Sequence, residues 1–205
     1  MLQTPAYDAA TLLREATVRH NIHLGVLVAE TGLWAHPDVH RYLVRENTTG
    51  AFFPHIRRYR AGQGEKPTQQ IGNLYLDNNS YANNAIKRAL GISRESLIGF
   101  EACHIWPRTC YDERYHTAIA NLVLLPRALA GLSDHDTEIE RVLQYRAYEL
   151  YDGWYPKDRE APTKPDVYPT FWREPLPFTR VLSSALARRR LREQPVVSED
   201  MSAPS

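Results

Sequence analysis

The sequence predicts an α+β fold, in which a two-stranded hairpin is followed by a helix and flanked by further helices. Two apolar, strand-like runs at residues 97–106 and 118–126 are separated by about ten loop residues, the spacing of a long hairpin. An amphipathic helical pattern then covers residues 137–151. A further helical pattern at residues 80–90 adds to the mixture of helix and strand.

Length and composition indicate one compact domain with room for an appendage. The chain has 205 residues, of which 43% are hydrophobic and 24% charged, with a formal charge of +1. This balance excludes a globally basic protein, so an anionic partner would have to bind a local patch of basic side chains. The N-terminus carries Asp8, Arg14 and Glu15 where a signal peptide is apolar, and no apolar run reaches the roughly 20 residues of a membrane helix. We therefore expect a cytoplasmic protein without a membrane partner.

Two helices and a basic loop are predicted in the N-terminal region, residues 1–95. Apolar residues within 8–31 follow a pattern that is helical at first and strand-like later, so we predict one helix with an indistinct end. Residues 32–72 are rich in His, Arg, Gly and Pro, and the AGQGEKP segment within them predicts a mobile basic loop. Ser80 is placed to cap a second helix, which Gly91 ends after about three turns.

The central region, residues 96–152, is predicted to contain the hairpin and a capped helix. Pro107 suits the end of the first strand because proline cannot donate to a strand ladder. Pro126 is placed to open a short helical turn after the second strand. Thr137 and Glu140 match a capping box for the helix that follows. The predicted order is therefore strand, loop, strand and helix.

The C-terminal region is predicted to be an extended wrap that ends in a helix and a tail. Residues 153–194 hold many of the 14 prolines together with several aromatic residues, which favours a segment that lies over the domain. A helical pattern begins near residue 179, and residues 195–205 have the composition of a disordered tail.

Three stretches of the central region, within residues 98–151, form a recognisable series: EACHIWP, NLVLLP and LSDHD. Together they resemble the HNH nuclease signature of the ββα-metal superfamily. The resemblance implies a ββα-metal core in which His104 is the general base, Asn121 opens the second strand and His135 binds a metal ion. These residues are separated by 17 and 14 positions.

Two positions depart from the family pattern and affect the implied metal site. Many members have Asp or His immediately before the general base, where this chain has Cys103. The helical histidine of the family usually lies at the position of Ala130, and His135 comes five residues later. The implied ligands are thus His135, Asn121 and Cys103, around one Mg²⁺, Mn²⁺, Ni²⁺ or Zn²⁺ ion, with Cys103 favouring Zn²⁺. The other candidate ligands are Glu101, His116, Asp134 and Asp136.

The chemistry implied by the resemblance is phosphodiester hydrolysis. A histidine with an ordinary pKa of about 6.5 can take a proton from water, which is worth about 10²- to 10⁴-fold in rate. His104 is the candidate for this step, and a divalent ion would bear the charge that develops on the phosphate. Asn121 would either bind the ion or pin the hairpin loop so that His104 keeps its orientation.

The expected partner is double-stranded DNA, and a homodimer would allow both strands to be cut. Such an enzyme would suit a restriction or phage-defence system. Basic side chains that would contact phosphates are also typical of a solvated surface. The candidates for nucleic-acid binding are Arg57, Arg58, Arg60, Lys87, Arg88 and Arg108.

Two other interpretations stay open at this stage. A nucleic-acid-binding module that keeps the ββα scaffold without catalysis would explain Cys103 and the displaced His135. The other interpretation is an enzyme with Cys103 as its nucleophile. Because Cys103 and His104 point to opposite faces of a strand, the base would then be His116 or His135. A buried, unreactive thiol is the simplest role for Cys103.

Overall fold

The structure is a computed structural model that describes residues 9–46, 49–57, 70–71, 74–77, 80–92 and 97–178. Its mixture of helix and strand confirms the α+β class. The helices are α1 (Ala9–Arg19), α2 (Leu24–Thr31), α3 (Pro37–Glu46), α4 (Ser80–Leu90), α5 (Arg127–Ala130), α6 (Leu132–His135) and α7 (Thr137–Leu150). The strands are β1 (His55–Arg57), β2 (Gln70–Ile71), β3 (Leu74–Asp77), β4 (Phe100–His104) and β5 (Leu122–Pro126).

Strands β4 and β5 form the predicted antiparallel hairpin, and α5, α6 and α7 follow it in order. Phe100 pairs with Pro126 at one end of the hairpin, and His104 pairs with Leu122 at the other. Pro126 directly precedes α5, as predicted. A second, smaller sheet has the strand order β1, β3, β2, with β1 and β3 parallel.

The hairpin lies between two clusters of buried apolar side chains. Cys103 and Val123 belong to the cluster that includes residues of α2 and α7. Ala102 and Leu122 belong to the cluster that includes residues of α3 and α4. Because side chains alternate along a strand, His104 lies on the same face as Ala102, toward α4, and opposite to Cys103.

The predicted single helix within residues 8–31 is wrong, because the structure has two helices there. Helix α1 ends at Arg19 and α2 begins at Leu24. Asn21 between them has a φ of 51°, in the left-handed region that interrupts a right-handed helix. The predicted helix at residues 80–90 is confirmed as α4, and Gly91 after it has a φ of 67°.

The N-terminus of α7 is capped by a different residue from the one predicted. Asp136 is the cap, since its Oδ1 accepts hydrogen bonds from the backbone N–H groups of Glu138 and Ile139, both at 3.0 Å. The capping box of Thr137 and Glu140 is therefore wrong. The Asp136 carboxylate also lies 2.6 Å from the Arg14 guanidinium, which joins α1 to the start of α7.

The C-terminal segment, residues 153–178, contains neither helix nor strand and lies over the helices. Trp172 is buried in the cluster of α2 and α7, and its ring centroid lies 5.9 Å from that of Trp34. The backbone N–H of Arg173 donates to the carbonyl of Ala29 at 2.9 Å. The predicted C-terminal helix, the tail and the central part of the basic loop lie outside the described residues. In the described part of the chain, no helix has the length and apolar character needed to cross a membrane.

His40 of α3 is a buried histidine that affects stability in acid. Its side chain packs against Tyr151, with ring centroids 5.3 Å apart, and against Trp154 at 6.3 Å. Burial lowers the pKa of His40 to about 4 from its ordinary value of 6.5. Nearby Asp152 opposes this shift and Arg41 adds to it.

The free energy of unfolding is expected to fall by about 2–3 kcal/mol through His40 alone as the pH drops from about 6.5 to 4. In this range the unfolded chain binds a proton at His40 that the folded protein excludes. Urea unfolding at several pH values measures how steeply the free energy of unfolding changes with pH, for wild type and for His40→Leu. The variant should lose this part of the slope, whereas His20→Leu, at an exposed position, should keep it. Equal slopes in wild type and His40→Leu would contradict the prediction.

Candidate active site

His104 is the last residue of β4 and is partly exposed. Its Nε2 lies 3.0 Å from the backbone carbonyl oxygen of His116 and 3.2 Å from His116 Nδ1. The two imidazole rings are stacked, with centroids 5.2 Å apart and an angle of 15° between their planes. The structure thus joins the predicted general base to a second histidine.

The contact with a backbone carbonyl favours one proton arrangement on His104. A carbonyl oxygen only accepts hydrogen bonds, so this contact is a hydrogen bond in the tautomer that carries the ring proton on His104 Nε2. In the neutral ring, the lone pair is then on Nδ1, which is the nitrogen able to accept a proton. This is the tautomer that a general base held by its Nε2 requires.

His116 is fully buried, and the surrounding chain holds its backbone in place. Its N–H donates to the carbonyl of Asp112 at 2.8 Å. The hydroxyl of the next residue, Thr117, donates to the Phe53 carbonyl at 2.7 Å and accepts from the Phe53 N–H at 2.9 Å. The carbonyl that orients His104 is therefore fixed from both sides.

Asn121 is fully buried and uses its amide to close the loop between β4 and β5. Its Oδ1 accepts from the backbone N–H of Trp106 at 3.1 Å. Its Nδ2 donates to Thr109 Oγ1 and to the Tyr115 carbonyl, both at 2.9 Å. These bonds occupy both N–H groups of the amide. Of the two roles considered for Asn121, the geometry favours the pinning of the hairpin loop.

Cys103 lies on the opposite face of the hairpin from His104. Its Sγ is 3.7 Å from the carbonyl oxygen of Ala130, so the two positions at which the resemblance places ligands are in contact. Burial raises the pKa of the Cys103 thiol to about 12, although a hydrogen bond with Ser133 opposes the shift. A cysteine nucleophile reacts as the thiolate, which the burial of this thiol disfavours.

The residues that the resemblance implies as metal ligands do not fit a common metal site here. His135 ends α6 and is exposed, whereas Cys103 and Asn121 are buried. The amide of Asn121 is engaged by the loop, and Asp136 caps α7. Among the residues that the structure describes, no three His, Cys, Asp or Glu side chains form a metal-binding group. We therefore assign no catalytic step to a metal ion.

Two of the candidate phosphate contacts lie at the loop that carries His116. Arg108 is exposed and has a φ of 63°, directly before the 3₁₀ turn Thr109–Tyr111. Burial raises the pKa of the Cys110 thiol in that turn, and the adjacent Arg57 guanidinium partly offsets the rise. Arg57 at the end of β1 is thus close to the same loop.

The other candidate contacts lie on α4 or beyond the described residues. Lys87 and Arg88 are in the last turn of α4, which packs against β4. The Arg88 guanidinium carbon is 5.3 Å from the centre of the Phe53 ring, beside the segment that fixes Thr117. Arg58 and Arg60 lie outside the described residues.

The sequence indicates His116 only as a further candidate ligand or base, and it does not indicate the contact with His104. The contact joins residues 12 positions apart across an irregular loop, so no periodic pattern indicates it. The sequence shows only that a second histidine lies between the two strands. Thr109 and Tyr115, which bind Asn121, carried no signal at all.

Comparisons with known proteins were made by sequence and by structure. No protein-family model, curated protein or solved structure gave a significant match. The class of the protein therefore rests on its own fold and site: an α+β chain in which a hairpin presents a histidine oriented by a backbone carbonyl.

Proposed function

We propose that the protein is an HNH-type DNA endonuclease with a ββα core, in which His104 is the general base of phosphodiester hydrolysis. The observation that supports this most is the 3.0 Å contact between His104 Nε2 and the His116 carbonyl, which leaves Nδ1 as the basic nitrogen. The order of β4, β5 and the helices after them agrees with the resemblance in sequence.

In this proposal His104 Nδ1 takes a proton from a water molecule as the water attacks the phosphorus atom. The bond between phosphorus and the 3′ oxygen breaks, and the leaving oxygen takes a proton from solvent, so that the products carry 5′-phosphate and 3′-hydroxyl ends. The loop pinned by Asn121 keeps the carbonyl of His116 in place, so that the imidazole does not rotate away from the substrate. Arg57 and Arg108 would attract the DNA backbone to the same loop, because guanidinium groups pair well with phosphate oxygens. A homodimer would let both strands be cut, as in restriction or phage defence.

The proposal includes a metal ion only because the sequence resemblance implies one. One divalent ion would supply stabilisation of the charge that develops on the phosphate. The described residues do not assemble the implied ligand set, so the cleavage assay decides whether Mg²⁺, Mn²⁺, Ni²⁺ or Zn²⁺ is needed.

One observation favours a second candidate, a nucleic-acid-binding module without catalysis. The resemblance expects metal ligands at the positions of Cys103 and Ala130, which are in contact. In this chain they carry a buried thiol with a raised pKa and a small apolar side chain. Such a module would bind DNA equally well in the presence of a chelator and after His104→Ala.

Plasmid cleavage tests the two candidates against each other. Wild type, His104→Ala and His20→Ala are incubated with supercoiled DNA and each of the four ions in turn, with EDTA as the chelator control. The endonuclease predicts nicking or linearisation that His104→Ala abolishes and that His20→Ala, at an exposed position, preserves. If folded wild type binds DNA but cleaves it with none of the ions, the binding module replaces the endonuclease.

A further inference from the structure

A cleft lies between α3, the loop before β5 and the segment after α7. Its volume is about 540 Å³, within the roughly 300–1,000 Å³ of small-molecule sites. The described residues that line it do not include His104, His116 or Asn121. The cleft is therefore a separate site from the candidate active site.

Two of the cationic side chains that line this cleft already have acidic partners. The Arg41 guanidinium binds Asp152, with Nε 2.7 Å from Oδ2. Arg114 binds Asp112, with Nη2 2.6 Å from Oδ2. These ion pairs hold the two guanidinium groups in position at the cleft and leave little of their charge uncompensated.

Two further cations, Arg45 and Lys157, line the cleft, and Asp158 acts on Arg114 and Tyr115 of the same lining. The Arg45 and Lys157 side chains are exposed and line the opening. Within the described part of the chain, neither has a carboxylate within ion-pair distance, and Asp152 is the one acidic residue on the lining. An anionic ligand would therefore meet two cations that form no ion pair with a described carboxylate.

The wall of the cleft is aromatic, and its central ring is held in a fixed orientation. Trp154 is partly exposed, and the rings of Tyr115 and His40 meet it edge-on, with centroids 6.2 Å and 6.3 Å away. The Tyr115 hydroxyl accepts a hydrogen bond from the backbone N–H of Lys157 at 3.2 Å. This bond places a cation beside the aromatic wall, and aromatic side chains of this kind stack with flat heterocycles.

We propose that this cleft binds a nucleoside phosphate, with its base against Trp154 and its phosphate at Arg45 and Lys157. A nucleoside phosphate combines a flat, weakly polar ring with an anionic group, which matches an aromatic wall bordered by cations. The same unit occurs as a free nucleotide and within a nucleic-acid strand. The inference does not rest on the proposed DNA cleavage, because it assigns no role to His104, His116 or Asn121.

Titration calorimetry and tryptophan fluorescence test the proposal, in EDTA so that no metal-dependent cleavage intervenes. The probes are the four common nucleoside 5′-monophosphates, a short single-stranded oligonucleotide and inorganic phosphate. Wild type should bind a nucleotide probe with a micromolar to millimolar dissociation constant. Arg45→Ala and Lys157→Ala should each weaken binding by about tenfold, the usual loss for one charged hydrogen bond. Trp154→Phe should remove the fluorescence quenching.

A matched control and the contrast between probes decide the outcome. Arg127→Ala removes an exposed cation at the far end of the hairpin and should leave the affinity unchanged. Binding of mononucleotides would identify a free nucleotide as the ligand, and binding of the oligonucleotide alone would identify a strand segment; either supports the proposal. Inorganic phosphate binding as tightly as the nucleotides, absence of binding by every probe, or unchanged affinity in Arg45→Ala and Lys157→Ala would overturn it. The binding measurements keep their meaning even if the protein does not cleave plasmid DNA.

Discussion

The substitution Asn121→Ala is expected to lower the free energy of unfolding by about 3–5 kcal/mol, since the buried Trp106 N–H left without a partner costs about 1–3 kcal/mol and the other two hydrogen bonds lost contribute about 1 kcal/mol each. Trp106 N–H and the Tyr115 carbonyl both lose their bonds to the side chain, in a part of the chain that is shielded from water. Thr109 Oγ1 loses a donor as well. Chemical denaturation followed by circular dichroism measures the loss.

Two matched variants separate the hydrogen bonds from the loss of volume. Asn121→Asp keeps an acceptor for Trp106 N–H but replaces the amide donor opposite the Tyr115 carbonyl with an oxygen. It should therefore remain strongly destabilised despite its similar size. Asn84→Ala, at an exposed position of α4, should be neutral or slightly stabilising because alanine favours a helix. If Asn121→Asp is as stable as wild type, the pinning role is wrong.

With the proposed function, the substitution His104→Ala is expected to lower the rate of DNA cleavage by about 10²- to 10⁴-fold, the usual contribution of a general base. Because the His104 side chain is partly exposed, the variant leaves a space that solvent can reach. Added imidazole should therefore restore part of the rate, with a dependence on pH that follows the neutral form of imidazole. Initial rates on a supercoiled plasmid, measured at several imidazole concentrations, check both effects.

Chemical rescue distinguishes a base from a residue that only supports the fold. The free energy of unfolding of His104→Ala is measured in parallel, so that a loss of rate through unfolding is recognised. His20→Ala provides the matched control, and its rate should neither fall nor respond to imidazole. A folded His104→Ala protein that cleaves at the wild-type rate would remove His104 from the mechanism.

The parts of the fold that the sequence predicted are those that local patterns specify. The hairpin and α7 come from runs of apolar residues with strand and helix spacing. The break at Asn21 was missed because apolar residues continue on both sides of it, and the left-handed conformation depends on one residue. The cap at Asp136 was missed because Thr137 also satisfies the pattern of a cap, and the pair with Arg14 is a tertiary contact.

The candidate site was predictable where one residue carries its own signal. His104 stands out because it is polar within an apolar run, whereas the resemblance indicates Asn121; the structure places both at the same end of the hairpin. His116 had no such signal, because its position depends on an irregular loop fixed by tertiary hydrogen bonds. The burial of Cys103 against Ala130 was equally hidden, since two residues far apart in the chain produce it.

The contact between Trp172 and Trp34 has a consequence for folding during synthesis on the ribosome. These two residues are 138 positions apart and belong to the same buried cluster. At about 5–20 residues per second, translation needs roughly 7–30 s between them. During that time the nascent α2 lacks part of its cover, and chaperones have their best opportunity to bind it. The pace of synthesis over the last stretch before Trp172 therefore sets how long this apolar surface stays open.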